Sequence, residues 1–78
     1  MTYHVQIAPA TVEQITKLDS ELQQQVVMKL EELALNPLLA EAQKLKSQEN
    51  LYVIRLGKYR IVYQLQNELG QVMVLKVA

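Results

Sequence analysis

Hydrophobic and polar residues alternate near the start of the chain, as they do in half-buried β-strands, and three strand-like runs of mostly hydrophobic residues follow in its second half. The first alternating run, residues 2–8, ends at Pro9. Three more runs, at residues 51–56, 59–66 and 71–77, are separated by short turn sequences. The pattern therefore predicts one N-terminal strand and, later in the chain, a three-stranded antiparallel meander.

Between these strands the hydrophobic residues recur every three or four positions, which is typical of amphipathic helices. Thr11 and Ser20 each stand three residues before a glutamine, so each is a predicted N-cap of the capping-box type. The second helix is predicted to stop at Asn36-Pro37, because proline disfavours helix at its own position and at the residue before it. We predict a helical hairpin, followed by a loop over residues 38–50.

The predicted element order, β-α-α-β-β-β, indicates an α+β fold with an antiparallel sheet packed against an N-terminal helical hairpin. The chain has 78 residues, which is too few for a second hydrophobic core, so residues 1–78 are expected to form one domain. Half of the residues are hydrophobic, which excludes a disordered chain. No apolar run approaches the roughly 18 residues of a membrane span, and cysteine is absent. We expect a cytoplasmic protein that does not engage a membrane.

The charges are divided unequally along the chain, although the net charge is zero. Residues 1–41 carry two basic and six acidic side chains, and residues 42–78 carry six basic and two acidic ones. Zero net charge argues against bulk nucleic-acid binding, but two oppositely charged halves can place a positive face on a neutral protein. The alternative is that the charges solvate two unrelated surfaces.

The predicted hairpin at residues 51–66 contains a pair of arginines. If Gly57 and Lys58 form a two-residue turn, Arg55 lies directly opposite Arg60 on one face of the sheet. Two arginines in such a pair repel, and an anion between them would relieve the repulsion. A phosphodiester or an acidic peptide would fit, and the alternative is a solvated face on which each arginine pairs with a nearby carboxylate.

Other candidate residues have ordinary structural interpretations. The single histidine, His4, lies on the polar side of the first strand and is a predicted surface residue. Three tyrosines lie on the apolar face of the predicted meander and are expected in the core: Tyr52, Tyr59 and Tyr63. The sequence has no phosphate-binding glycine loop, metal-ligand spacing or nucleophile elbow, so neither a cofactor nor a metal is expected.

Three segments of the chain form a distinctive set: LALNP at residues 33–37, Lys44-Leu45, and LYVIRLGKYRIVY at residues 51–63. The set resembles the RelE/ParE toxin superfamily of bacterial type II toxin–antitoxin pairs, and Gly-x-Tyr-Arg-Ile-Val-Tyr is its most specific part. The resemblance covers essentially the whole chain and implies a RelE-like fold. It also implies a small toxin that a cognate antitoxin holds inactive. RelE-like members cleave mRNA in the ribosomal A site, whereas ParE-like members poison DNA gyrase.

The same resemblance implies roles for five basic residues. In RelE-like cleavage a ribose 2′-OH attacks the adjacent phosphate, and the enzyme must stabilise the charge of the transition state. Arg55 and Arg60 match basic positions of the family motif and are the expected catalytic residues. Lys44, Lys46 and Lys58 are the expected RNA contacts. The implied partners are the antitoxin, the ribosome and mRNA, with operator DNA contacted only through the antitoxin.

Two departures from the family pattern leave other functions open. Val53 stands where RelE has a further basic residue, and the chain reaches Ala78 without the basic, aromatic tail that usually follows the last strand. The expected function is a RelE-like endoribonuclease; the alternatives are a catalytically weak or inert antitoxin-binding module and a ParE-like gyrase inhibitor. We also expect the last strand to form an open sheet edge, which a strand or helix from a partner would stabilise.

Overall fold

The computed structural model describes residues 2–39, 41–45 and 50–78. Over these ranges, five strands form one sheet in the order β1-β5-β4-β3-β2, and two helices pack against one of its faces. The elements are β1 (His4–Ile7), α1 (Pro9–Thr16), α2 (Ser20–Leu35), β2 (Gln43–Lys44), β3 (Leu51–Leu56), β4 (Tyr59–Gln66) and β5 (Gln71–Val77). A short 3-10 helix, Asn67–Leu69, connects β4 to β5. The predicted α+β fold is confirmed, and in the described ranges no helix has the length and apolarity needed to cross a bilayer.

The meander β3-β4-β5 is antiparallel and has the predicted strand boundaries. The expectation that β5 forms an open edge is wrong, because β1 pairs with it in parallel from His4 opposite Gln71 to Ile7 opposite Val74. β1 thus lies beside the last strand, in which Val72, Val74 and Val77 are buried. The sheet edges are therefore β1 and β2.

The predicted loop over residues 38–50 contains a strand that the sequence pattern did not predict. Gln43 and Lys44 pair with Val53 and Tyr52 of β3, and the Leu45 N–H donates to the carbonyl of Leu51 at 2.8 Å. Two residues are too few for an alternation of hydrophobic and polar side chains to be visible in the sequence. The remainder of the loop includes residues 46–49, which lie outside the described ranges.

Both helix N-caps differ from the predicted ones. Helix α1 begins at Pro9 after Ala8, since a proline in the first turn needs no partner for an N–H group. Thr11 is instead fully buried and bonded to β5. The cap of α2 is Asp19, one residue before the predicted Ser20, and its carboxylate accepts from the Leu22 N–H at 2.9 Å. A carboxylate at this position also interacts favourably with the positive end of the helix dipole.

The core lies between α2 and the inner face of the sheet. Its buried members are Val26, Leu30, Leu33, Ile54, Ile61, Tyr63, Leu65, Val72, Val74 and Val77. The buried Tyr63 hydroxyl donates to the carbonyl of Pro37 at 2.6 Å, and the Tyr63 ring stacks on Tyr52 with 5.7 Å between ring centroids. The hydrogen bond to Pro37 ties the segment just after α2 to the middle of the sheet. Tyr52 and Tyr59 are half-buried, so of the three tyrosines expected in the core only Tyr63 is fully enclosed.

Candidate functional site

The β3–β4 hairpin has the two-residue turn and the register that the sequence predicts. Gly57 adopts φ 61°, the left-handed backbone conformation that the first central position of a type II′ hairpin turn requires. Leu56 pairs with Tyr59, and Arg55 pairs with Arg60. The turn therefore places the two arginines directly opposite each other, on the sheet face that points away from the helices.

The backbone hydrogen bonds of Arg60 show which type of antiparallel pair it forms with Arg55. The Arg60 N–H donates to the carbonyl of Ala78 at 2.7 Å, and the Arg60 carbonyl accepts from the Ala78 N–H at 3.1 Å. Both groups thus point toward the β5 side, so Arg55 and Arg60 form a non-hydrogen-bonded pair. Side chains approach each other most closely in this kind of antiparallel pair. Both arginines are solvent-exposed.

No carboxylate in the described ranges lies within ion-pair distance of either arginine. The ion pairs there are those of Lys29, with Glu32 at 2.9 Å and Glu41 at 2.8 Å, and both lie on the helical side of the molecule. The alternative in which each arginine pairs with its own acidic neighbour therefore has no support in this part of the chain. As far as residues 2–39, 41–45 and 50–78 are concerned, the two exposed arginines are open to a ligand.

The division of charge along the sequence becomes a division between two layers. The described strands contain four basic residues and no acidic one: Lys44, Arg55, Arg60 and Lys76. Helices α1 and α2 contain four acidic residues and one basic one: Glu13, Glu21, Glu31, Glu32 and Lys29. An anionic ligand is therefore attracted to the sheet and repelled by the helices, although the net charge of the protein is zero.

The expected RNA-contacting lysines do not all lie near the arginine pair. Lys58 is exposed in the hairpin turn, two residues before Arg60. Lys44 pairs with Tyr52, so its position belongs to the sheet face that carries the helices, opposite to the arginine face. Lys46 lies outside the described ranges. Of the two lysines that the structure describes, Lys58 is the one that lies near the arginine pair.

A basic residue that the sequence analysis missed lies on the arginine face. Lys76 pairs with Val62, two residues from Arg60 on the same face of β4. Strict alternation after the buried Val74 would have placed Lys76 in the core, but the register shifts by one residue at this point. The available signal was that a period of two from Val72 and Val74 would place the charged Lys76 in the core and the apolar Val77 outside it.

The arginine face can bind and neutralise an anion. Arginine is a fixed cation whose planar fork matches phosphate oxygens. The buried Tyr63 lies on the opposite face, and burial raises its pKa to about 12, so this phenol is not a proton carrier near neutral pH. His4, exposed as predicted, lies in edge strand β1, which β5 separates from β4. Within residues 2–39, 41–45 and 50–78, no three His, Asp or Glu side chains are grouped to hold a metal ion.

A second surface combines the open edge of β1 with an apolar groove. The His4 N–H donates to the carbonyl of Gly70, just before β5, and the Ala8 N–H donates to that of Val74, so the intervening Val5 and Ile7 present their backbone groups to the other side. Along this edge runs a groove of about 500 Å³ between β1 and α2. Its lining includes Tyr3, Val5, Ile7, Val27, Leu30 and Ala34. An open strand edge beside an apolar groove is suited to an extended or helical segment of another chain.

The family model of the ParE toxin of type II toxin–antitoxin systems, parDE, matches residues 5–78 of the chain. A search of curated protein sequences found no significant match.

Solved structures of RelE proteins have the same fold. The isolated E. coli RelE toxin is 29% identical with a TM-score of 0.86, and the match covers 97% of this chain and 82% of that one. A chain of the intact E. coli RelBE toxin–antitoxin complex is 30% identical with a TM-score of 0.86, covering 97% and 94%. A chain of the archaeal RelE–RelB complex from Pyrococcus horikoshii is 27% identical with a TM-score of 0.89, covering 99% and 93%.

Proposed function

The chain belongs to the RelE/ParE superfamily of type II toxin–antitoxin toxins, and we propose that it is a RelE-like toxin that inhibits translation by cleaving mRNA on the ribosome. The observation that carries this proposal is the Arg55–Arg60 pair, which faces solvent with no carboxylate partner in the described part of the chain. In this proposal the protein acts in the cytoplasm, where its partners are the ribosome and mRNA.

The proposed reaction is an in-line transesterification of RNA. The ribose 2′-oxygen forms a bond to the adjacent phosphorus, the bond to the 5′-oxygen of the next nucleotide breaks, and a 2′,3′-cyclic phosphate remains. The proton of the 2′-OH passes to water, and water protonates the 5′-oxygen. Negative charge accumulates on the phosphoryl oxygens during this step, and Arg55 and Arg60 stabilise it from two sides. One well-placed donor to such a charge contributes roughly 10²–10³ in rate.

The test is to map mRNA ends in a translating bacterial extract to which the purified protein is added. The wild-type protein should produce new ends in translated messages, and none when ribosomes are omitted. Arg55→Gln and Arg60→Gln should each reduce the cleavage rate by about 10²–10³. Lys17→Gln is the matched control, since it removes one exposed positive charge next to α1 and should cleave like the wild type. Intact messages at high wild-type concentration would contradict the proposal.

The partner in this proposal is a cognate antitoxin, bound at the β1 edge. We expect a strand of the antitoxin to pair with Val5 and Ile7 while its apolar side chains enter the groove beside α2. Operator DNA is then contacted only through the antitoxin.

Co-purification with the product of the neighbouring gene tests this partner site. Val27→Asp places a charge in the groove and should abolish co-purification, since Val27 is 49% exposed and lines it. Met28→Asp is the matched control, because Met28 is 65% exposed on the next position of α2 and does not line this groove. Equal loss of binding in both variants would place the antitoxin elsewhere. Antitoxin binding without any mRNA cleavage would support the alternative of an inert binding module.

A second candidate function is inhibition of DNA gyrase, which the match to the ParE family favours. A gyrase supercoiling assay distinguishes the two functions. Accumulation of cleaved DNA complexes together with intact mRNA would support the ParE-like function, and unchanged supercoiling would remove it.

A further inference from the structure

The β4–β5 ladder contains a β-bulge next to the arginine pair. Val62 pairs with Lys76 and Tyr63 pairs with Val74, which leaves Leu75 as an extra residue in β5. Val74 and Val77 are both buried, at 0% and 3% exposure, whereas Lys76 between them is exposed. Bulges of this kind change the face to which the following side chains point. The bulge therefore allows Val77 to complete the core while Lys76 points to the arginine face.

Helix α1 holds the backbone on both sides of Lys76. Strand β1 ends at Ile7, opposite Val74, so beyond Val74 strand β5 has no strand neighbour on that side. There the buried Thr11 hydroxyl donates to the carbonyl of Leu75 at 2.7 Å, and the Gln14 side-chain oxygen accepts from the Val77 N–H at 3.0 Å. These two bonds satisfy backbone groups that would otherwise lack partners. They also fix the residues that flank Lys76.

Lys76 extends the positive charge of the arginine face along the sheet. It pairs with Val62, while Arg60, two residues away in β4, pairs with Arg55. Diagonal neighbours on one face of a ladder are about 7–8 Å apart, so Lys76 and Arg60 can contact two adjacent groups of one ligand. No ion pair of Lys76 occurs in the described part of the chain. Val53 and Val62 form the next pair of this face beside the arginines, and Lys76 lies on the other side of Val62.

We propose that Lys76 is a third phosphate-binding residue, positioned by the Leu75 bulge and by Thr11 and Gln14, and that it holds the RNA phosphate next to the one between Arg55 and Arg60. This inference rests on the proposed function, because it assigns the arginine face to RNA. The ligand is single-stranded RNA, whose successive phosphates match a row of cations along a strand. An acidic protein segment is the competing ligand, and the test distinguishes it.

The experiment measures binding of a fluorescein-labelled single-stranded RNA oligonucleotide at several salt concentrations. Each phosphate contact to a single strand contributes about 0.7 to the slope of log affinity against log salt concentration. Lys76→Gln should weaken RNA binding and lower the magnitude of this slope by about 0.7. Between 50 and 200 mM salt, the factor by which the variant loses affinity should then be about 2.6-fold smaller than the factor for the wild type. Lys76→Arg should retain the wild-type slope. Lys17→Gln, with the same change of net charge, should leave affinity and slope unchanged.

Variants of Thr11 test the positioning role. Thr11→Val removes the hydroxyl that binds Leu75 at nearly constant volume, and it should lower the slope as Lys76→Gln does, whereas Thr11→Ser should retain it. If Thr11 has a purely structural role, Thr11→Val should lower the melting temperature without changing the salt dependence of RNA affinity. If Thr11→Val does not fold, the Lys76 variants decide the proposal, since Lys76 is exposed.

The outcomes separate this inference from the proposed function. Absence of salt-dependent RNA binding by the wild-type protein would overturn both. If Arg55→Gln loses RNA binding while Lys76→Gln binds like the wild type, the role of Lys76 is overturned and the proposed function stands. Unchanged RNA binding with reduced antitoxin co-purification in Lys76→Gln would assign Lys76 to a protein ligand and overturn the inference.

Discussion

Replacing either arginine of the hairpin pair with glutamine should stabilise the isolated protein, while it reduces the rate of the proposed mRNA cleavage by about 10²–10³. Arg55 and Arg60 are exposed and form a non-hydrogen-bonded pair, in which Cβ atoms are roughly 4.5–5.5 Å apart. For guanidinium groups about 7–10 Å apart in water, Coulomb repulsion amounts to about 0.4–0.6 kcal/mol. Salt at about 0.15 M reduces this to less than half. At low ionic strength we therefore expect each substitution to add about 0.5 kcal/mol to the free energy of unfolding.

Thermal denaturation at low and high salt measures this effect. For a chain of this length, about 0.5 kcal/mol raises the melting temperature by roughly 2–4 °C. The gain should vanish near 1 M salt, where the Debye length is about 3 Å. In the double variant the second substitution should add less than the first, because the repulsion is already gone. Lys17→Gln, next to the acidic helices, should bring no gain. A lower melting temperature of Arg55→Gln at low salt, or a gain that persists at high salt, would refute the reasoning.

Further predictions concern Tyr63, Gly57 and Lys29. Tyr63→Phe loses the bond to Pro37 and should cost about 1 kcal/mol at neutral pH in urea denaturation. Burial raises the pKa of Tyr63 to about 12, above about 10 in the unfolded chain, so wild-type stability should fall by roughly 2–3 kcal/mol as the pH rises through this range. Tyr63→Phe should lose less there, and an equal alkaline loss would exclude Tyr63 as its source. Gly57→Ala should cost about 1–2 kcal/mol of folding stability through backbone strain alone, since φ is 61° and no atom lies within 4 Å of an added Cβ. Gly57→Asn should cost less. Equal stability of the wild type and both variants would contradict the turn geometry. Hydrogen bonding to Glu41 raises the Lys29 pKa. Lys29→Met should nevertheless cost under about 1 kcal/mol of folding stability, because the carboxylate partners of Lys29 are exposed. A larger loss of stability in urea denaturation would show that the ion pair is stronger than this.

The parts of the fold that local patterns determine were predictable from the sequence. The strand boundaries of the meander follow from runs of mostly hydrophobic residues separated by turn sequences, and the turn at Gly57 fixes the register that pairs Arg55 with Arg60. The end of α2 at Asn36 follows from the proline after it. These features depend on residues within a few positions of one another, so periodicity and turn chemistry are sufficient to specify them.

The parts that depend on distant contacts were not predictable. The parallel pairing of β1 with β5 joins residues that are more than sixty positions apart, and nothing in either strand specifies the partner. Thr11 has the sequence pattern of a helix cap but bonds to Leu75, because the end of β1 leaves the edge of β5 open beside it. The position of Lys76 on the arginine face was not predictable either, because it depends on the bulge at Leu75, where Thr11 binds the backbone.

The central claim is that Arg55 and Arg60 hold one RNA phosphate between them. The most direct measurement is an NMR titration of the side-chain Nε–H resonances of ¹⁵N-labelled protein with a short single-stranded RNA, assigned with Arg55→Gln and Arg60→Gln. The two arginine resonances should shift together along one binding curve, and either substitution should abolish the shift of the other resonance. Shifts that follow different curves, or RNA binding that leaves both resonances unmoved, would contradict a shared phosphate site.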